Sequence, residues 1–466
     1  MAVLKRDNPI SSSTLNRWML PLLSILVTIM LVNWGGLPRE GIVLFWLGVA
    51  SIIVMLGLGI FALHKVLQMP AHYITTAKER MALGFVLTLG GVLTMIGGYW
   101  DEVWHVKYGL PFGEDLLWRP HQIIYLGLLS ISLSAVWAAF KLYRSAKGSL
   151  WQRLVSDRAL AIIVLLGAFM AYSVPMDPLW HTLYGADISA WSVPHLLLVL
   201  CVFLIMLTAI VTLLSALPKR TWQLISSLQL VDMLLILAFA ISLSLSLQVF
   251  TTEWDATNVI REGSAQAFWQ RPEWLLPGVL AFLGIFYAIT INQLTRCVGS
   301  ASLTILLALA LRQSLVTGFA YDRLSADMWL LLLAPMMAVD LSYAIYLLRN
   351  KEQPQLPMAW LSGLAGSLGL GVISLCLMPR LLIYPRINSS TIPMMLLAIV
   401  LGGLYAAYLG KSLGTAGLEV AQKSSNRDSA KANSLWFMTA LVISLVFLLF
   451  YIVTASPPTH TFGIEG

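Results

Sequence analysis

The sequence predicts an all-α, polytopic integral membrane protein that crosses the bilayer about 13 times. The first observation behind this is composition: of 466 residues, 58% are hydrophobic and only 11% are charged, and the mean hydropathy is +0.81. A soluble globular domain carries about 25% charged residues, so this composition excludes that class. The other two observations are a series of long apolar runs and an uneven distribution of Lys and Arg among the loops.

Apolar runs of about 18 to 20 residues recur along the whole chain, and each can cross about 30 Å of hydrocarbon as an α-helix. The first run follows Lys5, Arg6 and Arg17. Because it lacks a small-residue cleavage site, it is interpreted as an uncleaved transmembrane helix. The predicted spans are 19–36, 42–66, 81–100, 120–140, 158–177, 194–216, 224–249, 274–295, 300–320, 327–348, 357–378, 391–410 and 434–454.

The basic residues predict the orientation, because the cytoplasmic loops of membrane proteins are enriched in Lys and Arg. The N-terminus and every second loop after it carry 20 of these residues, whereas the opposite loops carry 8. The N-terminus is therefore predicted in the cytoplasm and the C-terminus on the extracytoplasmic side. The basic pI of the sequence, ≈ 9.3, follows from this topology. Nucleic acid is accordingly not an expected partner.

A nine-residue pattern, Asp-x-x-Trp-His-x-x-Tyr-Gly, occurs twice. The first copy runs from Asp101 to Gly109 and the second from Asp177 to Gly185. Each is followed by a short loop and by an apolar helix that opens at Pro-His, which is Pro120-His121 in the first copy and Pro194-His195 in the second. Four of the seven histidines occupy these matched positions, so apolar composition does not explain the repeat. The sequence therefore contains a duplicated helical hairpin.

The repeat divides the chain into three parts. Residues 1–80 form two N-terminal transmembrane helices, and residues 81–216 form the two motif-bearing hairpins. Residues 217–466 are predicted to form a C-terminal bundle of about seven transmembrane helices. The sequence assigns no purpose to this last part.

The repeated residues have the types and the spacing of a metal site. Residues four apart on a helix lie on one face, and Pro is well tolerated in the first turn of the following helix. A helix N-terminus disfavours a protonated imidazole, which leaves a neutral nitrogen for a metal ion. One carboxylate and two imidazoles suit copper, non-haem iron or zinc. The predicted ligands are Asp101, His105 and His121 in the first copy, and Asp177, His181 and His195 in the second.

Four aromatic residues of the motif are expected to surround the ligands. Trp104, Tyr108, Trp180 and Tyr184 would form a dry wall and donate hydrogen bonds that orient the ligands. Trp, Tyr, Asp and His are also common at the membrane interface, where they act as anchors. The duplication of the aspartate and of both histidines favours metal binding over anchoring. Two separate sites, one composite site, or one active and one decayed site all remain open.

The Asp-x-x-Trp-His segment with its following Pro-His resembles the metal-binding segment of the C subunit of membrane-bound copper monooxygenases. That family includes the methane and ammonia monooxygenases. The resemblance implies that the Asp and the two His of each copy bind a metal, most simply copper, with iron or zinc as alternatives. The resemblance is limited to the repeated segments. The family's C subunit is shorter, carries the motif once, and has one residue between Pro and His where this chain has none.

The resemblance implies a copper-dependent membrane protein that oxidises a small apolar substrate with dioxygen, or supports such a complex as a subunit. It would lie in a prokaryotic cytoplasmic membrane, with the metal motifs near the extracytoplasmic face. Other membrane subunits and an electron donor, quinol or a redox protein, are expected partners, because the chain has no haem-attachment or flavin motif. The alternatives are a transporter or metal-delivery protein, and a haem b electron-transfer subunit. Haem is less favoured because each histidine pair comes from one hairpin mouth and brings an aspartate.

Three charged residues lie inside predicted spans: Asp232, Arg312 and Asp340. Charges at that depth are costly and usually face a partner or a watery cavity. These residues are therefore candidates for an ion path, or for a structural ion pair between Arg312 and one of the aspartates. The first possibility would favour transport as the function.

Overall fold

A computed structural model describes residues 73–111, 117–184, 193–216, 221–225, 230–255, 274–318, 327–350, 356–381, 389–424, 434–456 and 461–462, with a few isolated positions between 50 and 61. The prediction of an all-α protein is confirmed for this part, which contains helices and only four two-residue strands. The first predicted span, 19–36, and most of the second, 42–66, lie outside the described residues.

The helices in chain order are α1 (Ala77–Tyr108), α2 (Arg119–Ser145), α3 (Leu150–Leu154), α4 (Arg158–Tyr184), α5 (Val193–Ser215), α6 (Leu230–Asp255), α7 (Leu275–Thr295), α8 (Ser300–Gly318), α9 (Asp327–Leu330), α10 (Leu333–Asn350), α11 (Leu356–Leu381), α12 (Ile392–Ser424) and α13 (Ser434–Val453). The strands are β1 (Leu110–Pro111), β2 (Gln223–Leu224), β3 (Cys297–Val298) and β4 (Thr461–Phe462). β1 pairs antiparallel with β4, and β2 pairs parallel with β3.

Six of the described helices are long and apolar enough to cross a membrane: α1, α2, α4, α7, α11 and α12. They fit an integral membrane protein in contact with a lipid bilayer. Large apolar side chains are exposed along the outer faces of α2 and α13, where lipid would cover them; they include Leu129, Leu133, Val136, Ile443, Val446 and Phe450. The total of about 13 spans and their orientation stay predictions.

The two motif-bearing hairpins together form a four-helix bundle. α1 packs against α2, α2 against α4, α4 against α5, and α5 against α1, which closes a ring. Neighbours in the ring are antiparallel: Glu79 at the start of α1 pairs with Lys141 near the end of α2, at 2.6 Å. Near the other end of this pair, Gly97 of α1 lies against Ile124 of α2. Both hairpin mouths therefore lie at the same end of the bundle.

Local sequence sets where the first hairpin turns. α1 begins at a capping box, in which Thr76 accepts a hydrogen bond from the backbone N–H of Glu79 and the Glu79 carboxylate accepts one from the backbone N–H of Thr76. α1 ends at Gly109, whose φ of 91° suits glycine. Pro120 stands in the first turn of α2, where its missing N–H costs no helical hydrogen bond.

Replacing Gly127 of α2 by alanine is expected to lower the stability of the bundle by about 1–3 kcal/mol, the usual cost of overpacking a core. A Cβ at this position would lie 2.6 Å from the carbonyl oxygen of Gly90 on α1. The measurement is thermal unfolding in detergent, followed by circular dichroism. Gly98→Ala on α1 is the matched control, since a Cβ there meets no described atom within 4 Å. Equal loss in both variants would contradict the prediction.

In the rest of the described chain, α6, α8, α10 and α11 pack around α7, which forms a parallel pair with α12. Small residues allow their backbones to approach closely: a Cβ at Gly402 would lie 2.8 Å from the carbonyl oxygen of Gly278, and one at Gly410 would lie 2.9 Å from that of Phe286. α6 contacts α1 and α5 on one side and α7 and α8 on the other. It therefore joins the four-helix bundle to the rest of the described chain.

Candidate metal centre

The structure brings together the three ligands that the sequence predicts in the first copy. Asp101 lies two turns before the end of α1, and the Nε2 atom of His105, one turn later, is 3.1 Å from Asp101 Oδ2. The Nε2 atom of His121, in the first turn of α2, is 2.9 Å from Asp101 Oδ1. We call these three residues the first cluster. Their side chains are about one-fifth exposed, at the mouth of the hairpin.

The first cluster fits a single metal ion. Each residue offers one ligand atom, and these atoms lie within 4.8 Å of one another. Ligand atoms bound to one ion at about 2.0–2.2 Å lie no more than about 4.4 Å apart, so small side-chain rotations are sufficient. His105 Nδ1 is buried and has no hydrogen-bond partner in the described part of the chain. This buried nitrogen is therefore open to a further polar partner.

Trp118 holds the aspartate, a role that the sequence analysis did not assign. Its indole N–H donates a hydrogen bond to Asp101 Oδ1 at 2.8 Å. The buried ring also lies against both imidazoles, with centroid distances of 4.9 Å to His105 and 5.5 Å to His121. The available signal was a tryptophan shortly before Pro-His in each copy, at position 118 and position 191.

Trp104 and Tyr108, which the sequence predicts beside the ligands, belong to the same group of rings as Trp118. Trp104 is buried and packs edge-on against Trp118, at 5.4 Å, and against Tyr108, at 5.6 Å. The indole of Trp118, and not that of Trp104, donates the hydrogen bond to the Asp101 carboxylate. Trp104 thus packs against the residue that donates to the Asp101 carboxylate.

Replacing Trp118 by phenylalanine is expected to weaken metal binding by about 10- to 100-fold, the usual effect of losing an outer hydrogen-bond partner of a ligand. The substitution keeps an aromatic ring against the imidazoles but removes the donor to Asp101. The affinity is measured by copper titration against a competing chelator. Trp104→Phe is the control, since it changes the same wall without touching the carboxylate. Equal weakening in both variants would argue against a special role for Trp118.

The C-terminal helix reaches the mouth of the first hairpin. The Arg119 guanidinium donates hydrogen bonds to the carbonyl oxygen of Tyr451 and to Oγ1 of Thr454, each at 2.9 Å, and lies 4.6 Å from the centroid of the Tyr451 ring. Just beyond the motif, β1 pairs with β4, with Leu110 opposite Phe462. Thr461–Phe462 and the last turn of α13 therefore lie next to β1 and the start of α2, at the mouth of the first hairpin.

The second copy of the motif has the same backbone placement as the first. Asp177 and His181 lie in the last turns of α4, and His195 lies in the first turn of α5. Their side chains, and those of Trp180 and Tyr184, lie outside the described residues. Metal binding by the second copy therefore stays a prediction.

Asp340 of α10 caps the start of α8. Its Oδ1 accepts hydrogen bonds from Asn292 Nδ2 at 2.6 Å and from the backbone N–H of Gly299 at 3.0 Å. Its Oδ2 accepts from the backbone N–H of Ser302 at 2.8 Å and from the Ser302 hydroxyl at 2.6 Å. A carboxylate at a helix N-terminus is favoured by the helix dipole. These contacts give Asp340 a structural role.

The other two charged residues lie elsewhere. Arg312 is buried farther along α8, about 15 Å from Ser302 by helical rise, between the rings of Tyr99 at 4.9 Å and Trp329 at 5.1 Å. Asp232 is buried in the first turn of α6. The interactions of Asp340 with described residues do not include an ion pair with Arg312.

The first cluster thus combines a carboxylate, two imidazoles and an indole donor at one end of an apolar helical bundle. These side chains and their position make the first cluster the candidate metal site of the described residues. Comparison of the chain with protein-family models, with curated proteins and with solved structures finds no match.

Proposed function

We propose that this protein is a membrane metalloprotein that binds copper at the first cluster and takes part in oxidising a small apolar substrate with dioxygen. It acts as an oxygenase or as one subunit of an oxygenase. The observation that carries this proposal is the convergence of Asp101, His105 and His121 at one hairpin mouth. The resemblance of the motif to the copper monooxygenase C subunit supports the choice of metal and of reaction.

Each residue of the first cluster has a definite task under this proposal. Asp101 supplies the negative charge that compensates a cation in an apolar setting, and His105 and His121 supply neutral nitrogen donors. Trp118 fixes the carboxylate, which keeps the donor set together. Copper, when bound, supplies one-electron and dioxygen chemistry. Two nitrogens and one oxygen leave coordination positions free for small molecules.

An apolar substrate would approach from the bilayer along α2. The ring of Tyr125 is 6.0 Å from that of His121, centroid to centroid, and the residue is 45% exposed. From Tyr125 the exposed apolar face of α2 continues through Leu129 and Leu133. Among the described residues, this face of α2 between Tyr125 and Leu133 carries no charged side chain, so it offers an apolar approach to the first cluster.

The setting of the site belongs to the same proposal. The distribution of Lys and Arg supports about 13 spans, a cytoplasmic N-terminus and an extracytoplasmic C-terminus, with the motif loops facing outward from a prokaryotic cytoplasmic membrane. Quinol or a redox protein would supply electrons, and other membrane subunits would complete the complex. Iron or zinc in place of copper is an alternative that metal analysis distinguishes.

The first test is metal content and an optical spectrum of the protein in mild detergent, for wild type, His105→Ala and His181→Ala. We expect copper without a Soret band and less copper in the variants. We also expect dioxygen uptake when a quinol and a small alkane are supplied to copper-loaded protein. Metal flux into proteoliposomes without dioxygen uptake would favour metal delivery, and a Soret band would favour a haem b subunit. A protein that binds no metal would refute the proposal.

A further inference from the structure

We infer that the two copies of the motif hold two metal ions as one paired centre at a single end of the four-helix bundle. This inference rests on the proposed metal binding, and it decides between separate sites, a composite site and a decayed copy. It follows from how the hairpins α1–α2 and α4–α5 pack on each other.

In each hairpin, a glycine at the equivalent position of the repeat packs against the other hairpin. Gly91 of α1 packs against Met206 of α5, and Gly167 of α4 packs against Ala135 of α2. Each glycine stands ten residues before the aspartate of its own motif copy. The hairpins are therefore related by an approximate two-fold axis that runs along the bundle, and their mouths lie at the same end.

The ligand positions on α1 face the inside of this bundle. Gly90 and Gly97 lie on the side of α1 that faces α2. Gly84 and Gly91 lie on the side that faces α5. Because successive residues turn by about 100° around the helix axis, Asp101 and His105 lie between these two sides. Gly167 stands ten residues before position 177, as Gly91 does before position 101, so a regular helix would place the second aspartate position on the corresponding face of α4. The two copies thus occupy inward faces on opposite sides of one bundle.

The packing distance sets the separation of the two ions. Axes of packed helices lie about 8–10 Å apart, so ions held by opposite sides of the ring would be on the order of 10 Å apart. Metal–ligand bonds are only about 2 Å long, so at this separation the ions do not share ligands. The geometry therefore points to two adjacent three-ligand sites.

A pair of one-electron sites matches the electron demand of the proposed reaction. Insertion of one oxygen atom of dioxygen into a C–H bond of the substrate, with the other atom released as water, consumes two electrons and two protons from a reductant. Under the proposed function that reductant is a quinol or a redox protein. The duplicated motif would supply both one-electron sites within a single chain.

The test is a copper(II) titration of metal-free wild-type protein, with metal analysis and electron paramagnetic resonance at each step. We expect two copper ions per chain and dipolar broadening of the spectrum at full loading. At low loading the unbroadened spectrum of an isolated ion is expected, and this comparison needs only wild-type protein. His121→Ala and His195→Ala form a matched pair of variants, each expected to bind one copper ion and to give an unbroadened spectrum.

Three outcomes would overturn the paired metal centre while leaving copper binding intact. One copper ion per chain, unaffected by His195→Ala, would mean that only the first copy binds metal. Loss of all copper in either variant would mean one composite site. Two copper ions with no broadening at any loading would place the sites too far apart. Failure of every sample to bind copper would instead refute the proposed function together with this inference.

Discussion

Replacing Asp101 by alanine is expected to weaken copper binding at the first cluster by more than the about 10- to 100-fold cost of losing an outer hydrogen-bond partner. The substitution removes a ligand and also the acceptor that His105, His121 and Trp118 share. A cation at the apolar end of the bundle would then lack the negative charge that compensates it. Metal binding is the property that we expect to change most in this protein.

The measurement is copper affinity by competition with a chelator, in detergent or nanodiscs. Glu79→Gln is the matched control, because it also removes a carboxylate from α1 and breaks the ion pair with Lys141 at the opposite end of that helix. The control should retain wild-type affinity. Unchanged affinity in Asp101→Ala, or equal weakening in Glu79→Gln, would exclude Asp101 as a ligand.

Replacing Asp340 by alanine is expected to destabilise the protein by about 3 kcal/mol or more, because each buried donor left without an acceptor costs about 1–3 kcal/mol. Asp340 accepts hydrogen bonds from Asn292, from Gly299 and from both donors of Ser302. Asn292 is fully buried, so water does not replace the lost acceptor. The start of α8 would also lose the negative charge at its N-terminus.

Chemical or thermal unfolding in detergent measures this loss. Ser342→Ala is the control on the same helix, since among the described residues that hydroxyl bonds only to the carbonyl oxygen of Ala338 one turn earlier. Asp340→Asn, which keeps one oxygen acceptor, should fall between the two. If Asp340 belonged instead to an ion path, Asp340→Asn would abolish ion flux in proteoliposomes. The midpoint of chemical or thermal unfolding would then stay unchanged.

Local spacing was sufficient to predict the first cluster from the sequence. Four residues separate Asp101 from His105, which places them on one helical face whatever surrounds the helix. Pro120 fixes the first turn of α2, and this places His121 at the end of α2 that lies beside the end of α1. The hydrogen bond from Trp118 depends on the path of the loop and on a side-chain rotamer, neither of which is set by spacing.

Contacts between distant parts of the chain could not be predicted in the same way. The membrane-spanning segments of α7 and α12 are both predominantly apolar, so their composition does not say which helices they pack against. Their partnership depends on where Gly278 and Gly402 allow the backbones to approach. Asp340 shows the same limit: its charge was visible in the sequence, but the backbone N–H groups of Gly299 and Ser302 that it binds were not.

The contact between Arg119 and Tyr451 has a consequence for biosynthesis, because the two residues are 332 positions apart. At about 5–20 residues per second, the ribosome adds Tyr451 roughly 20–60 s after Arg119. During that interval the loop after the first motif copy has neither β4 nor the end of α13 beside it. The nascent hairpin therefore carries Asp101, His105 and His121 before these contacts form, and under the proposed function a metal ion would have access to them before translation ends.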